Sequence, residues 1–246
     1  MESSFYKTYF QLEKDNWWFK ARRNLIFWIL KKYGNGKKVL DYGCGSGFLV
    51  GQLQERGFDA SGVDVSKEAI DFGSEKGINN LSKIDGVLTN YPDASFDLVL
   101  AMDVIEHIKE DDLVIKELER LVKPNGILVI TVPAYKWMWG VQDEVAHHFR
   151  RYTMGSILKL ASVTRLSIVK KSYFNTFLFP VAAIVRLASK WFNKKNRESD
   201  FEINNNFLNP LLYFIFNTEI KLLKWLNYPF GVSILLVARK RSDQKA

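Results

Sequence analysis

Three glycines follow a short apolar segment in Val39-Leu40-Asp41-Tyr42-Gly43-Cys44-Gly45-Ser46-Gly47, and the carboxylate of Asp41 stands just before them. A glycine turn after a first strand usually brings backbone N–H groups and a helix N-terminus up to a pyrophosphate. The spacing does not suit that use here, because the dinucleotide pattern G-x-G-x-x-G would need glycine where Phe48 or Val50 stands. Asp41 would repel phosphate, but it suits a ligand that carries an ammonium group and a positively charged sulfur. A second acid, Asp64, ends the segment Ala60-Ser61-Gly62-Val63-Asp64 roughly twenty residues past the loop, where a carboxylate can accept from both hydroxyls of a ribose.

The remaining chemistry-bearing residues lie in two later segments. Asp103-Val104-Ile105-Glu106-His107 follows the apolar run Phe96–Met102, and Tyr135, Trp137, His147, His148, Arg150 and Arg151 fall between Pro133 and Tyr152. His107, His147 and His148 are the chain's three histidines, and each is a candidate base for an acceptor proton near neutral pH. His107 could equally anchor the helix after it through a backbone carbonyl. Arg150 and Arg151, with Tyr135 and Trp137 beside them, are candidates to bind an anionic or hydroxylated acceptor, or to pair with Asp143 and Glu144 on a surface loop. The histidine spacing suits no standard metal site, so no metal is expected.

The elements that position these residues alternate between strand and helix patterns, which predicts a doubly wound α/β fold. Strands are expected at Lys38–Tyr42, Asp59–Asp64, Gly86–Leu88, Phe96–Met102 and Gly126–Val132, with a helix over Asp111–Val122 carrying Val114, Leu118 and Leu121 on one face. A helix over Met154–Val163, a strand over Leu166–Ser172 and a final antiparallel strand over Val232–Lys240 complete a mostly parallel, seven-stranded sheet. An earlier helix from about Asp15 to Tyr33, capped at Asp15 or Asn16 and stopped at Gly34-Asn35-Gly36, carries Trp17, Trp18, Ala21, Leu25, Trp28 and Ile29 at helical spacing. Four regions follow: an N-terminal helical cap (1–36), a cofactor-binding core (37–172), a helical insertion (173–230), and a final strand with its tail (231–246).

In this order and spacing, the segments between Val39 and Tyr135 resemble the class I S-adenosylmethionine-dependent methyltransferases. The resemblance implies S-adenosylmethionine as cofactor and S-adenosylhomocysteine as product, with Asp41, Gly43, Gly45, Gly47, Asp64, Met102 and Asp103 around it. It also implies adenine contact for Asp85, whose alternative is an ordinary turn residue, and pairing of Arg22 or Arg23 with the cofactor carboxylate. Asp-Val-Ile-Glu-His resembles the small-molecule branch, including quinone- and lipid-modifying enzymes. The Trp-Trp-Phe-x-Ala-Arg-Arg, His-His-x-Arg-Arg-Tyr and Pro-Phe-Gly-Val-Ser segments resemble a bacterial and archaeal branch linked with surface glycans and lipid-linked sugars. A methylated small or lipid-linked acceptor is the leading implication. A soluble metabolite, or cofactor binding without methyl transfer, stays open beside it.

Composition bounds the partners. The chain has 246 residues and a net charge of +8, which suits nucleic acid, an anionic membrane or an acidic substrate. A nucleic-acid partner is not expected, because no Asn-Pro-Pro-Tyr motif and no nucleic-acid module is recognisable. Cys44 is the single cysteine, so no internal disulfide can form. Together with the lack of an apolar signal-like segment in residues 1–20, this predicts a cytoplasmic protein. Within the insertion, the apolar run Phe177–Val185 precedes Arg186, Lys190, Trp191, Lys194, Lys195 and Arg197, and a second helix is expected over Pro210–Leu226. The first run is too short to span a bilayer. Apolar and basic residues side by side suit the inner membrane surface, with a lid or a dimer face as the alternative.

Overall fold

Apolar residues alternate along the central strands and divide the core into two layers. The computed structural model describes residues 3–191 and 208–242. Strands β1 (Lys38–Tyr42), β2 (Asp59–Asp64), β3 (Leu81–Lys83), β4 (Phe96–Met102), β5 (Val122–Pro133), β6 (Leu166–Phe174) and β7 (Ser233–Lys240) form one sheet in the order β3-β2-β1-β4-β5-β7-β6. β7 runs antiparallel to both β5 and β6, and the other pairs are parallel. Val39, Leu98, Leu100, Ile127, Val129, Leu235 and Val237 point to one layer, and Leu40, Val99, Ala101, Leu128, Ile130, Ile234 and Leu236 to the other. This period of two is what burial on both faces requires. The first layer is covered by α2 (Trp17–Tyr33), α3 (Phe48–Gln54), α4 (Lys67–Glu75) and α9 (Leu208–Leu223), the second by α5 (Asp111–Leu121) and α7 (Met154–Ala161).

One strand expectation is corrected. β3 is Leu81–Lys83, not Gly86–Leu88, and it pairs with β2 through Gly62 and Leu81. Gly86 sits at φ +80°, which interrupts an extended run, and Leu88 is exposed. Leu81 instead fills the space that side chains at Gly47, Gly62 and Gly73 would occupy.

The N-terminal region holds one helix more than the sequence suggested, α1 (Ser3–Asp15). It ends at Asn16, whose side chain accepts from the Trp18 N–H at 2.9 Å and caps α2. The insertion contains α8 (Phe179–Trp191) and α9, and α9 packs on α2. Trp18 stacks on Phe216 at 5.1 Å and on Phe174 at 5.9 Å, and Asn24 donates to the Tyr213 hydroxyl and to Asn217. The tryptophan pair of α2 is thus a helix-packing surface. Lys194, Lys195 and Arg197 lie outside the described residues.

Candidate active site

The strand order reverses between β1 and β4, and in open α/β sheets the carboxyl ends of the strands beside such a reversal are where ligands bind. Asp41, Asp64 and Asp103 all reach this edge. Asp64 braces the glycine loop: one oxygen accepts from the Gly45 N–H at 2.8 Å and the other from the Ser66 N–H at 2.9 Å. Gly45 has φ +55°, and nothing lies within 4 Å of the position a Cβ would take, so backbone is open to a ligand there. Asp41 is buried, and no hydrogen bond reaches its carboxylate among the described residues. An uncompensated buried acid beside an open glycine fits a ligand that brings its own positive charge, so the residues present suit S-adenosylmethionine.

α1 packs over the glycine loop and α4. Phe10 meets Phe48 and Phe72 at 5.0 and 5.6 Å, and Glu13 accepts from the Ser46 hydroxyl of the loop at 3.0 Å. Arg22, on α2, is ion-paired with Asp103. Burial pushes Asp41 up to about 7, with Arg22 opposing the rise and Glu13 and Asp64 adding to it. Burial likewise lifts Glu13 to about 7 against the Ser46 hydrogen bond and the two arginines nearby. Asp103 itself adopts φ +59°, a left-handed conformation at the end of β4 that turns its carboxylate out of the strand. Glu13 was missed in the sequence, because nothing local ties it to a loop thirty-three residues away.

The other end of this edge is assembled from β4, β5 and the segment before α7. Glu106 and His107 lie in a short turn after β4, and the Phe149 N–H donates to the Glu106 carbonyl at 2.8 Å, drawing the His-His-Phe-Arg-Arg segment onto that turn. His148 Nδ1 meets Asp143 at 2.9 Å, and its ring packs edge-on against His107 at 4.5 Å. Burial would raise Asp143, but hydrogen bonds from His148 and Arg151 hold it down at about 2. Glu106 is fully buried, and burial pushes its carboxyl well above the usual range. Tyr135, at φ +58°, stacks on Tyr173 at 5.3 Å and on Trp137 at 5.9 Å, and both Tyr135 and Trp137 meet Phe179 of α8.

The structure therefore brings His107 and His148 together and leaves His147 exposed at φ +54°. Arg151 is committed to Asp143 at 2.7 Å and Arg150 to Asp111 at 2.7 Å, so both guanidiniums hold the segment in place. Asp85 stands apart: its side chain is 90% exposed and pairs with Lys83. Met102 is buried at the end of β4, and Gly43 takes φ +77° against Val104.

Residues 40–130 match a family model described as a methyltransferase domain. A ubiquinone biosynthesis O-methyltransferase of Paraburkholderia phymatum is 35% identical over 103 residues, covering 37% of this chain and 42% of the relative. One of Pelagibacter ubique is 36% identical over 98 residues, covering 38% and 40%. The chain thus spans about two fifths of the length of the curated relatives it matches. Among solved structures, the PH0226 protein from Pyrococcus horikoshii has a TM-score of 0.59 at 18% identity, covering 91% of each chain. The [4+2]-cyclase SpnF has the same TM-score at 21% identity, covering 91% of this chain and 82% of its own. A phosphoethanolamine N-methyltransferase of Haemonchus contortus, solved with S-adenosyl-L-methionine, scores 0.57 at 20% identity, covering 89% of this chain and 53% of its own. Structures with such different titles share the fold, so the fold alone does not fix the reaction.

Proposed function

We propose that this chain is a class I S-adenosylmethionine-dependent methyltransferase and that it methylates an oxygen of a small acceptor whose apolar part rests at a membrane surface. The observation that carries this reading is the pairing, on one sheet edge, of an unpartnered Asp41 with the His107–His148 pair. The cofactor supplies a methyl group on a sulfonium. Asp41 would hold its ammonium end, Asp64 its ribose, and Gly43, Gly45 and Gly47 would let backbone approach it. Arg22 and Asp103 border the same space. α1 would exclude water once the cofactor is in place, where positioning and dryness supply most of the acceleration.

An alcohol or phenol acceptor must lose its proton, and the imidazole pair is where we place that event. The relatives are named for O-methylation, which supports an oxygen acceptor. Tyr135, Trp137, Phe179 and Phe230 form an aromatic path from this end of the cleft to α8. Beyond it, Val181, Ile184 and Leu187 on α8, Leu211 and Phe214 on α9, and Trp225, at 86%, are exposed. Apolar side chains left bare on a basic protein suit the surface of an anionic bilayer. No described helix is long and apolar enough to cross a membrane.

The test is transfer of labelled methyl from S-adenosylmethionine into a total cell extract, followed by partition between organic solvent and water. Label in the organic phase is the expected result. Label confined to water would replace the membrane acceptor with a soluble one. No label in either phase, from a chain that binds the cofactor, would overturn methyl transfer.

A further inference from the structure

One acid beside the imidazole pair is bound through both of its oxygens. Asp143 is fully buried, and its Oδ1 accepts from Arg151 Nε at 2.7 Å and meets His148 Nδ1 at 2.9 Å, while Oδ2 accepts from the Gly140 N–H at 2.8 Å. Against the rise that burial alone would cause, these contacts hold its carboxyl down at about 2. It is therefore a carboxylate at neutral pH and can only accept, so Nδ1 of His148 carries the hydrogen. In the neutral ring the lone pair is then left on Nε2.

The backbone bends to make this contact. The helix Val141–Val145 ends at Ala146, and His147 takes φ +54°, a left-handed turn after which the His148 N–H donates to the Asp143 carbonyl at 2.8 Å. The Phe149 N–H continues onto the Glu106 carbonyl at 2.8 Å. Ring and carboxylate are thus fixed through the main chain as well as through their side chains. A ring oriented at both levels has little freedom left to lose when an acceptor arrives.

His107 is held differently. Its ring bonds to the backbone carbonyl of Ala146 rather than to a carboxylate, and it packs edge-on against His148 at 4.5 Å. A carbonyl fixes a tautomer but brings no charge to meet an imidazolium, and two cationic rings this close would repel each other. Burial pushes the Glu106 carboxyl well above the usual range, so the negative charge that touches the pair is that of Asp143.

We propose that His148 is the base that takes the acceptor proton and that Asp143 is its positioning residue, fixing the Nδ1–H tautomer and meeting the imidazolium that forms. The inference rests on the methyl-transfer reading of this edge and divides the imidazole pair into a base and a neutral neighbour. The acceptor O–H bond breaks with its proton passing to Nε2 of His148. Its electron pair stays on oxygen and forms the bond to the methyl carbon, while the pair of the broken C–S bond goes to sulfur. Asp143 keeps its charge throughout, as a carboxylate behind a catalytic imidazole does. His148 afterwards gives the proton to water.

The test begins on the cofactor-free natural chain. Ring-nitrogen NMR, with only three histidines to assign, should find the neutral His148 ring with its hydrogen on Nδ1. A hydrogen on Nε2 overturns the proposal. Transfer of labelled methyl into a total cell extract is then followed in variants whose cofactor affinity, by calorimetry, matches that of the natural chain. His148→Ala should lose on the order of 100-fold in rate, and added imidazole should restore part of it, which a purely structural defect would not allow. Asp143→Asn should lose at least about 10-fold. His107→Ala should lose less than either, and Glu144→Ala should keep the natural rate. A full rate in folded Asp143→Asn, or a larger loss in His107→Ala than in His148→Ala, overturns the proposal and leaves methyl transfer standing. A natural chain that binds the cofactor and transfers no label overturns both.

Discussion

The two ends of the cleft are built on opposite electrostatic plans. At the end proposed for the cofactor, Glu13, Asp41, Asp64 and Asp103 stand against the guanidiniums of Arg22 and Arg23, so acid is in excess there, as a cationic ligand would require. At the acceptor end, Asp143 is saturated by His148, Arg151 and the Gly140 N–H, and Arg150 is closed onto Asp111. The first end leaves charge uncompensated, whereas the second uses its charges to hold the His148 ring and the segment around it in place. A buried ion pair is costly to break because the surviving partner is left bare. An unpaired buried acid costs stability while it stands and contributes only when its ligand binds.

The largest effect should come from the acceptor end. Asp143→Ala strands the buried Arg151 guanidinium and frees the His148 ring, and it should cost about 3–5 kcal/mol of stability. Denaturant titration would measure this, and calorimetry on the remaining folded protein should find cofactor affinity unchanged. A matching fall in cofactor affinity would mean that the two ends are not independent.

At the cofactor end the same kind of change should act the other way round. Asp41→Asn removes a charge-assisted contact of about 1.5–3 kcal/mol, a loss of roughly 10- to 150-fold in cofactor affinity. The cofactor-free variant should be at least as stable as the natural chain, since the carboxylate it loses is buried and unpartnered. A lower melting temperature for this variant would break the contrast.

A pH series sharpens it further. Asp41 and Glu13 ordinarily titrate at 3.8 and 4.5 and are lifted to about 7 in the folded chain. Between those values the folded state holds more protons than the unfolded one, so these two groups destabilise the cofactor-free chain as pH rises through that window. A cationic ligand prefers both ionised, so its affinity should climb from about pH 6 to about pH 8. Thermal shift and calorimetry across the series should therefore run in opposite directions. The smallest effect is expected for Ser46→Ala, which removes the hydroxyl that Glu13 accepts from. It should weaken cofactor binding about 5-fold, near 1 kcal/mol.

Much of the cofactor end could be read along the chain. Asp41, the glycines and Asp64 are local to strand ends, and a strand end in a parallel sheet has a fixed destination. The same reasoning placed β1, β2, β4 and α5 within a residue of their observed limits. It failed at β3, where the apolar pair Val87-Leu88 outweighed Gly86, although the positive φ of that glycine excludes an extended run. It also passed over α1, whose Phe10 and Glu13 gain meaning only against Phe48, Phe72 and Ser46.

Sequence by itself determined the alternating architecture and the strand ends that carry Asp41, Asp64 and Asp103, and its glycine spacing departs from the dinucleotide pattern, because period, glycine spacing and charge are local quantities. Tertiary structure alone decided that Arg22 meets Asp103, that Arg150 and Arg151 are tied to carboxylates, and that His148 rather than His147 joins His107. These outcomes depend on which segments are packed together and on which side chains burial obliges to find partners, and neither is written in the spacing of residues along the chain.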